Sequence, residues 1–297
     1  HAVMLQHLTE QPIRTNIISG PTGTGKSTTL QRVLAGEILE SEEKLHVLTV
    51  EDPVEYPIPG AVQTCVTNAP TEEERTRLFS AAISNAMRLD PDTIMIGEIR
   101  DGASAQNAIR ASMTGHQVWT TIHANSALAI IDRLEDLGSP ISLITDSSII
   151  TGLISQRLVK ALCPHCKKKL VDHQQEMPAP VLARMHRALL NNLDRVYIAG
   201  PGCAHCRQQG TSGRTVVAEI ILPDARFFKF VRAGEKQKAI QYWLQELGGK
   251  TILDDAIDKI LAGVIDPRMT EKVVGHLDLG ALNPGRHLKV MEVANAG

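Results

Sequence analysis

Aromatic residues are scarce in this chain, at 3% of 297 residues, so there is no stacking platform for the bases of a single-stranded nucleic acid. Charge of one sign is lacking as well. The 31 Lys and Arg residues against 33 Asp and Glu leave a net charge of −2, which gives no general attraction to nucleic acid. No apolar run reaches the ~18 residues that a membrane span needs. No signal peptide opens the chain, and it starts on His1 rather than Met, so a truncated or processed beginning is expected. Internal repeats and low-complexity tracts are absent. Cysteines number only five, which points to a reducing compartment where paired cysteines hold metal rather than form disulfides. What remains is a chain long enough to bury a substantial core and to hold two or three domains.

The stretch that organises the chain is Gly20-Pro21-Thr22-Gly23-Thr24-Gly25-Lys26-Ser27, a full match to the phosphate-loop pattern G-x-x-x-x-G-K-[ST]. The β-branched run 14–19 before it reads as a buried strand. Residues 28–39 after it have helical spacing at Leu30, Val33, Leu34 and Ile38. Strand, loop and helix thus come in the order a phosphate cradle needs, with backbone N–H groups turned onto phosphate oxygens at a helix N-terminus. Lys26 is expected to reach the β- and γ-phosphates of ATP and the Ser27 hydroxyl to ligate Mg²⁺, with Thr28 closing the binding segment.

Residues 45–50 read as a second buried strand ending in Glu51-Asp52-Pro53, and carboxylates at the C-terminal edge of a parallel strand face the ligand crevice. Pro57 and Pro59 predict an irregular stretch. A helix is expected over 71–88, opened by a possible capping box at Thr71 and Glu74, and Asp90-Pro91-Asp92 ends it. The strand 93–98 ends in Glu98, at the position of a Walker B acid that holds Mg²⁺ directly or through water. A helix over 103–114 and a strand over 117–122 follow. His123 then lies at the strand edge that carries Glu51 and Glu98, where it either donates structurally or contacts the γ-phosphate. Helices are expected over 127–137 and 140–154, then a short strand over 156–160. Alternating strands and helices predict an α/β fold, a doubly wound parallel sheet of the P-loop, RecA-like type.

Cys163-Pro164-His165-Cys166 and Cys203-Ala204-His205-Cys206 form two C-x-x-C knuckles, and four thiolates suit one tetrahedral Zn²⁺. His165 or His205 in place of a Cys is the alternative set. The residues between the knuckles must form an excursion, with a helix expected over 181–193, and the metal's expected task is to fold it. Cys65 stands apart as a core or surface thiol. Beyond the knuckles a strand is expected over 214–222, helices over 225–231, 235–247 and 252–261, and a loosely held tail past Gly280.

With these residues in place the chain resembles the secretion and pilus-assembly ATPases, in the type II secretion and type IV pilus extension branch. The match runs in order through the phosphate loop from Gly20, T-V-E-D-P-V-E-Y from Thr49, D-P-D-T-I-M-I-G-E-I-R-D from Asp90, T-G-H-Q-V-W-T-T-I-H-A-N from Thr114 and the four cysteines. The shorter R-L-x-x-L-G from Arg133 and Q-R-L from Gln156 agree. The resemblance implies a homo-hexameric cytoplasmic motor, peripheral to the inner face of the membrane, that hydrolyses ATP and pushes on an inner-membrane platform protein. It implies Glu51 as the group that polarises water, Glu98 as a Mg²⁺ support or a sharer of that task, His123 as a γ-phosphate reporter and Arg100 as an ion-pair partner. Two departures stand out. Ser84 occupies a place where an Arg is usual, so part of the expected charge compensation is missing or is supplied by Arg75, Arg77 or Arg88, and the family's N-terminal domain is missing ahead of the loop. Weak hydrolysis or poor ring formation is therefore expected of the chain by itself.

The expected division is a P-loop ATPase core over 1–160, a four-cysteine subdomain over 161–213 and a mainly helical part over 214–297. A pilus-retraction or conjugation ATPase is the related alternative, disfavoured by the four cysteines. A zinc-containing, nucleotide-regulated nucleic-acid module would need a basic, aromatic face, and a small-molecule P-loop kinase would need an acceptor pocket and a lid.

Overall fold

A computed structural model of the chain describes residues 14–42, 44–66, 69–189 and 192–282. The expected loose tail lies outside these residues from 283 onward. The strands are β1 (Arg14–Ser19), β2 (Val47–Glu51), β3 (Ala61–Cys65), β4 (Thr93–Ile99), β5 (Gln117–Ile122), β6 (Ile150–Leu162), β7 (Lys168–Lys169), β8 (Tyr197–Ile198) and β9 (Thr211–Ile221). Seven of them form one sheet in the order β3-β2-β4-β5-β1-β6-β9, and the first six in that order pair in parallel. β7 and β8 make a separate antiparallel pair.

The chain divides into two compact units. One comprises the residues up to Gln156 with Ile220–Trp243, and the other Arg157–Glu219 with the residues from Leu244 onward. The passage from one to the other lies inside β6 and the return inside β9. The stretch expected as one C-terminal part thus contributes to both units.

In the first unit every residue of β2 and of β5 is buried, the signature of a parallel sheet covered on both faces. Helix α1 (Lys26–Glu40) lays Leu30, Leu34 and Ile38 against Ile18, Met95, Trp119 and Ile154. Helix α2 (Glu72–Ala86) begins at Thr71, whose side chain accepts from Glu74 N as the capping-box reading expects. Helix α3 (Gly102–Met113) is capped by Asp101 and joins α2 through Asn107, whose amide donates to Ser80. Helices α4 (Ala129–Asp136) and α5 (Ile141–Ile144) follow. The helix expected over 140–154 is a correction: only one turn forms, and from Ile150 the chain is the 13-residue β6. Apolar spacing there fits either period, but Ile149-Ile150-Thr151 is β-branched and the segment gains a ladder with β1. β3, which the neighbouring prolines concealed, pairs with β2 at the sheet edge.

In the second unit, helix α6 (Ala179–Leu189) fills the excursion between the knuckles, and residues 190–191 of the expected helix are not described. It buries Met185, Ala188 and Leu189 in a core with Val159, Val196, Val217, Ile257 and Ile260. Helix α7 (Ala225–Arg232) and, up to Trp243, helix α8 (Lys236–Gln245) belong to the first unit; in the second, α9 (Ile252–Leu261) follows, and α10 (Pro267–Val274), which the sequence reading missed, starts on Pro267 behind the cap Asp266. Arg184 of α6 forms a bidentate pair with Glu271 of α10 at 2.8 and 2.6 Å. The excursion is therefore packed structure.

Leu34 is fully buried where α1 meets the sheet. Leu34→Ala is expected to lower unfolding stability by about 2–5 kcal/mol in a urea titration; a loss under ~1 kcal/mol would contradict this packing.

Candidate active site and metal centre

Parallel register decides where the polar residues emerge. Ser19 of β1 pairs with Ile122 of β5 on one side and with Ser155 of β6 on the other. Gly20 and His123 therefore leave the sheet together one residue further on, and Gln156, still within β6, stands at the same level. On the far side of β5, Ile96 pairs with both Thr120 and Val50, so Glu98 and Glu51 reach the same edge. With strands about 4.8 Å apart, β4 stands about 10 Å and β2 about 14 Å from β1. Glu51, Glu98 and His123 thus share the rim that the phosphate loop occupies.

Helix α1 begins at Lys26 with Gly25 as its N-cap, at φ 83°, a left-handed conformation that glycine adopts without strain. Gly25 offers no capping side chain, and the first turn carries no acidic residue. The N–H groups of the first turn are left for a ligand with negative charge, which suits phosphate. The loop is braced from within. Lys26 Nζ donates to Gly20 O at 2.8 Å and Pro21 O at 3.2 Å, and Thr24 Oγ1 donates to Pro21 O at 2.9 Å. Thr22, Gly23 and Thr28 are exposed, while Ser27 is half-buried in the first turn.

The acids are held differently. Glu51 is buried, and its Oε1 accepts from Thr49 Oγ1 at 2.6 Å and from Gln63 Nε2 at 2.9 Å. Both donors are neutral, and both fall on the same oxygen. Glu98 has each oxygen engaged by a cation or potential cation: Oε1 lies 2.6 Å from His123 Nε2 and Oε2 2.7 Å from Arg100 Nε. Arg100 also reaches Asp52 at 3.2 Å, and Arg75 grips Asp52 with two bonds at 2.5 and 2.7 Å. The Arg75 hydrogen bonds, opposed by burial and helped by the charges of both arginines, hold the Asp52 carboxyl below the ordinary carboxylate range. An alternating chain Arg75–Asp52–Arg100–Glu98–His123 therefore links α2, β2, β4 and the end of β5. Of the three arginines named for the missing charge, Arg75 is the one paired with Asp52, while Arg77 lies 3.7 Å from Glu74 and Ser84 Oγ donates to Ser80 O.

The reading from sequence missed Gln63, because β3 was not seen. Gln156 was noticed only as part of Q-R-L, yet its side chain is bonded to both the loop and α1.

The four knuckle cysteines come together, with sulfurs all within 4.8 Å of one another. Three of the pairs, Cys163–Cys203, Cys166–Cys206 and Cys203–Cys206, are 3.8 Å apart. Sulfurs about 2.3 Å from a tetrahedral zinc sit about 3.8 Å from each other, so the set fits that ion. Backbone N–H groups of Cys203 and Gly210 donate to Cys206 Sγ at 3.2 Å. Burial pushes the Cys206 thiol up, but these backbone bonds bring it down to about 6, whereas burial carries Cys166 up to about 12. His165 and His205 lie against one another outside the sulfur set, ring centroids 4.2 Å apart and planes inclined by 50°. A Cβ on Gly200 would lie 1.7 Å from Cys166 O, so only glycine allows the second knuckle to close on the first. Cys65 is exposed and apart from the cluster.

Similarity to known proteins agrees with these features. The family model described as Type II/IV secretion system protein matches residues 2–275. The chain is 38% identical over 262 residues to the Type II secretion system protein E of Dickeya dadantii (strain 3937), covering 88% of this chain and 48% of that protein. It is 34% identical over 268 residues to the Type II secretion system ATPase E of Vibrio cholerae serotype O1 (strain ATCC 39315 / El Tor Inaba N16961), covering 87% of this chain and 48% of that one. The chain thus spans about half the length of the curated relatives it matches. Among solved structures, the ATPase DotB of Legionella pneumophila superposes with a TM-score of 0.63 at 22% identity, over 91% of this chain and 62% of that one. The pilus retraction motor PilT with bound ADP does so with a TM-score of 0.60 at 23% identity, over 92% and 64%. These two likenesses establish the fold. The extent of the family match, together with the identity to curated relatives, makes the chain a member of the Type II/IV secretion system protein family.

Proposed function

We propose that the chain is the ATP-hydrolysing part of a hexameric cytoplasmic motor that drives type II secretion or type IV pilus assembly against an inner-membrane platform protein. The observation that carries the hydrolytic reading is how the donors are divided between the two acids. Both donors to Glu51 meet Oε1, so among the described residues its Oε2 has none, whereas both oxygens of Glu98 are engaged. Glu51 is then the group free to take a proton from water, and Glu98 the group that orients His123.

Within this reading the loop N–H groups from Gly23 to Thr28 bind the phosphates. Lys26 exchanges the carbonyls of Gly20 and Pro21 for phosphate oxygens. Ser27 would hold Mg²⁺, which supplies charge neutralisation on the phosphates when bound. Glu51 orients and deprotonates water, and His123 meets the γ-phosphate and passes its loss to Glu98 and on to Arg100 and Asp52. A site completed by a neighbouring subunit would convert that loss into domain movement. The four cysteines would hold Zn²⁺ and keep the excursion folded, with no part in the chemistry. The secretion E proteins among the relatives support the secretion branch.

In the intact protein, Glu51→Gln is expected to lower kcat at least ~10²-fold while ADP affinity stays within about threefold, in keeping with loss of a general base. Lys26→Ala is expected to weaken nucleotide binding as well. Retained turnover in Glu51→Gln together with its loss in Glu98→Gln would move the base to Glu98. Metal analysis is expected to find one zinc per chain, lost in Cys203→Ser and in Gly200→Ala, with a lowered thermal midpoint. A Cys203→Ser protein with full zinc content and an unchanged midpoint would contradict the structural metal.

A further inference from the structure

Gln156 is 1% exposed and sits one residue beyond the Ser19–Ser155 pair, so β6 delivers it directly beside the loop that β1 opens into. Its Nε2 donates to Thr24 O at 2.8 Å, and its Oε1 accepts from Thr29 Oγ1 at 3.0 Å. A carbonyl only accepts, so Thr24 O demands the amide nitrogen. The Thr29 hydroxyl can then donate to the amide oxygen. Thr29 is itself fixed to the loop, its N–H donating to Gly25 O at 2.9 Å. One buried side chain thus ties the loop to the first turn of α1.

The consequence lies in the Thr24–Gly25 peptide. In a trans peptide the C=O and N–H point in opposite directions. Turning the Thr24 carbonyl inward to buried Gln156 aims the Gly25 N–H the other way, away from the interior in which that side chain lies. The loop does not enforce this orientation by itself. A flip of that peptide would carry φ of Gly25 from 83° to the negative side, which glycine adopts as readily. We infer that Gln156 is a positioning residue whose amide locks the Thr24–Gly25 peptide, presenting the Gly25 N–H to a nucleotide phosphate. The inference rests on the proposed reading of the loop as an ATP site.

A donor aimed at a phosphate is used in ground state and transition state alike, so its loss appears in affinity and KM more than in kcat. The test is ADP binding by calorimetry in the intact protein with Mg²⁺ present, alongside steady-state ATPase kinetics and the thermal midpoint without nucleotide. Gln156→Met is expected to weaken ADP binding and raise KM by roughly 10- to 100-fold, the range for a hydrogen bond to a charged group, with kcat within about threefold. Gln156→Glu, which brings a carboxylate against the Thr24 carbonyl, is expected to weaken ADP further. Thr29→Val removes only the hydroxyl that orients the amide. It is expected to give a smaller loss of affinity with an unchanged nucleotide-free midpoint, and it carries the test should Gln156→Met fold poorly. If the wild type binds ADP and both Gln156→Met and Thr29→Val bind it as tightly, the inference falls alone. It falls equally if the losses in kcat match those in KM and follow a drop in the nucleotide-free midpoint. If the wild type does not bind ADP, the nucleotide reading falls and takes this inference with it.

Discussion

Parallel pairing of β1 with β5 and β6 is the constraint on which the rest depends. Because Ser19 is opposite both Ile122 and Ser155, the loop from Gly20, His123 and, within β6, Gln156 come to one level, and each carries a different polar function. The ladder continues through β4 to β2 and brings Glu98 and Glu51 to the same rim. A slip of one residue in any of these pairings would move a site residue about 3.3 Å along the strand, off the level of the loop.

Along this rim, charge is arranged so that acids close in sequence do different work. Asp52 takes two arginines and Glu98 takes one arginine and one histidine, while Glu51, next to Asp52 in the chain, is held by Thr49 and Gln63. A carboxylate with both oxygens engaged by cationic partners has neither left to meet water. One steadied by neutral donors on a single oxygen keeps its other oxygen available. In the second unit the same economy of polar groups holds the excursion: Arg184 and Glu271 pair across α6 and α10, and Asp255 accepts from Ala218 N and Lys259.

Much of this was legible in the residues, because the strongest signals were local. The phosphate loop carries its own glycines and lysine, and β1, β4 and β5 are bounded by Asp, Pro and Gly where their periodicity ends. The knuckles announce themselves by spacing. What could not be read were contacts made at long range. β3 is a short edge strand behind two prolines, so neither it nor the Gln63 bond to Glu51 left a periodic trace. The stretch from Ile149 has apolar spacing that satisfies both helix and strand, and only pairing with β1 decides it. The pairing of Arg75 with Asp52, 23 residues apart, is likewise a contact that no local pattern carries.

The central claim is that the bare N-terminus of α1 and the unshared oxygen of Glu51 serve one triphosphate. The most direct measurement is a crystal structure of the intact protein with Mg²⁺ and a non-hydrolysable ATP analogue. The account predicts that Lys26 Nζ has left the carbonyls of Gly20 and Pro21 for phosphate oxygens, and that Glu51 Oε2 faces a water in line with the γ-phosphate. A triphosphate seated away from α1, or an in-line water held by Glu98 with Glu51 turned away, would contradict it.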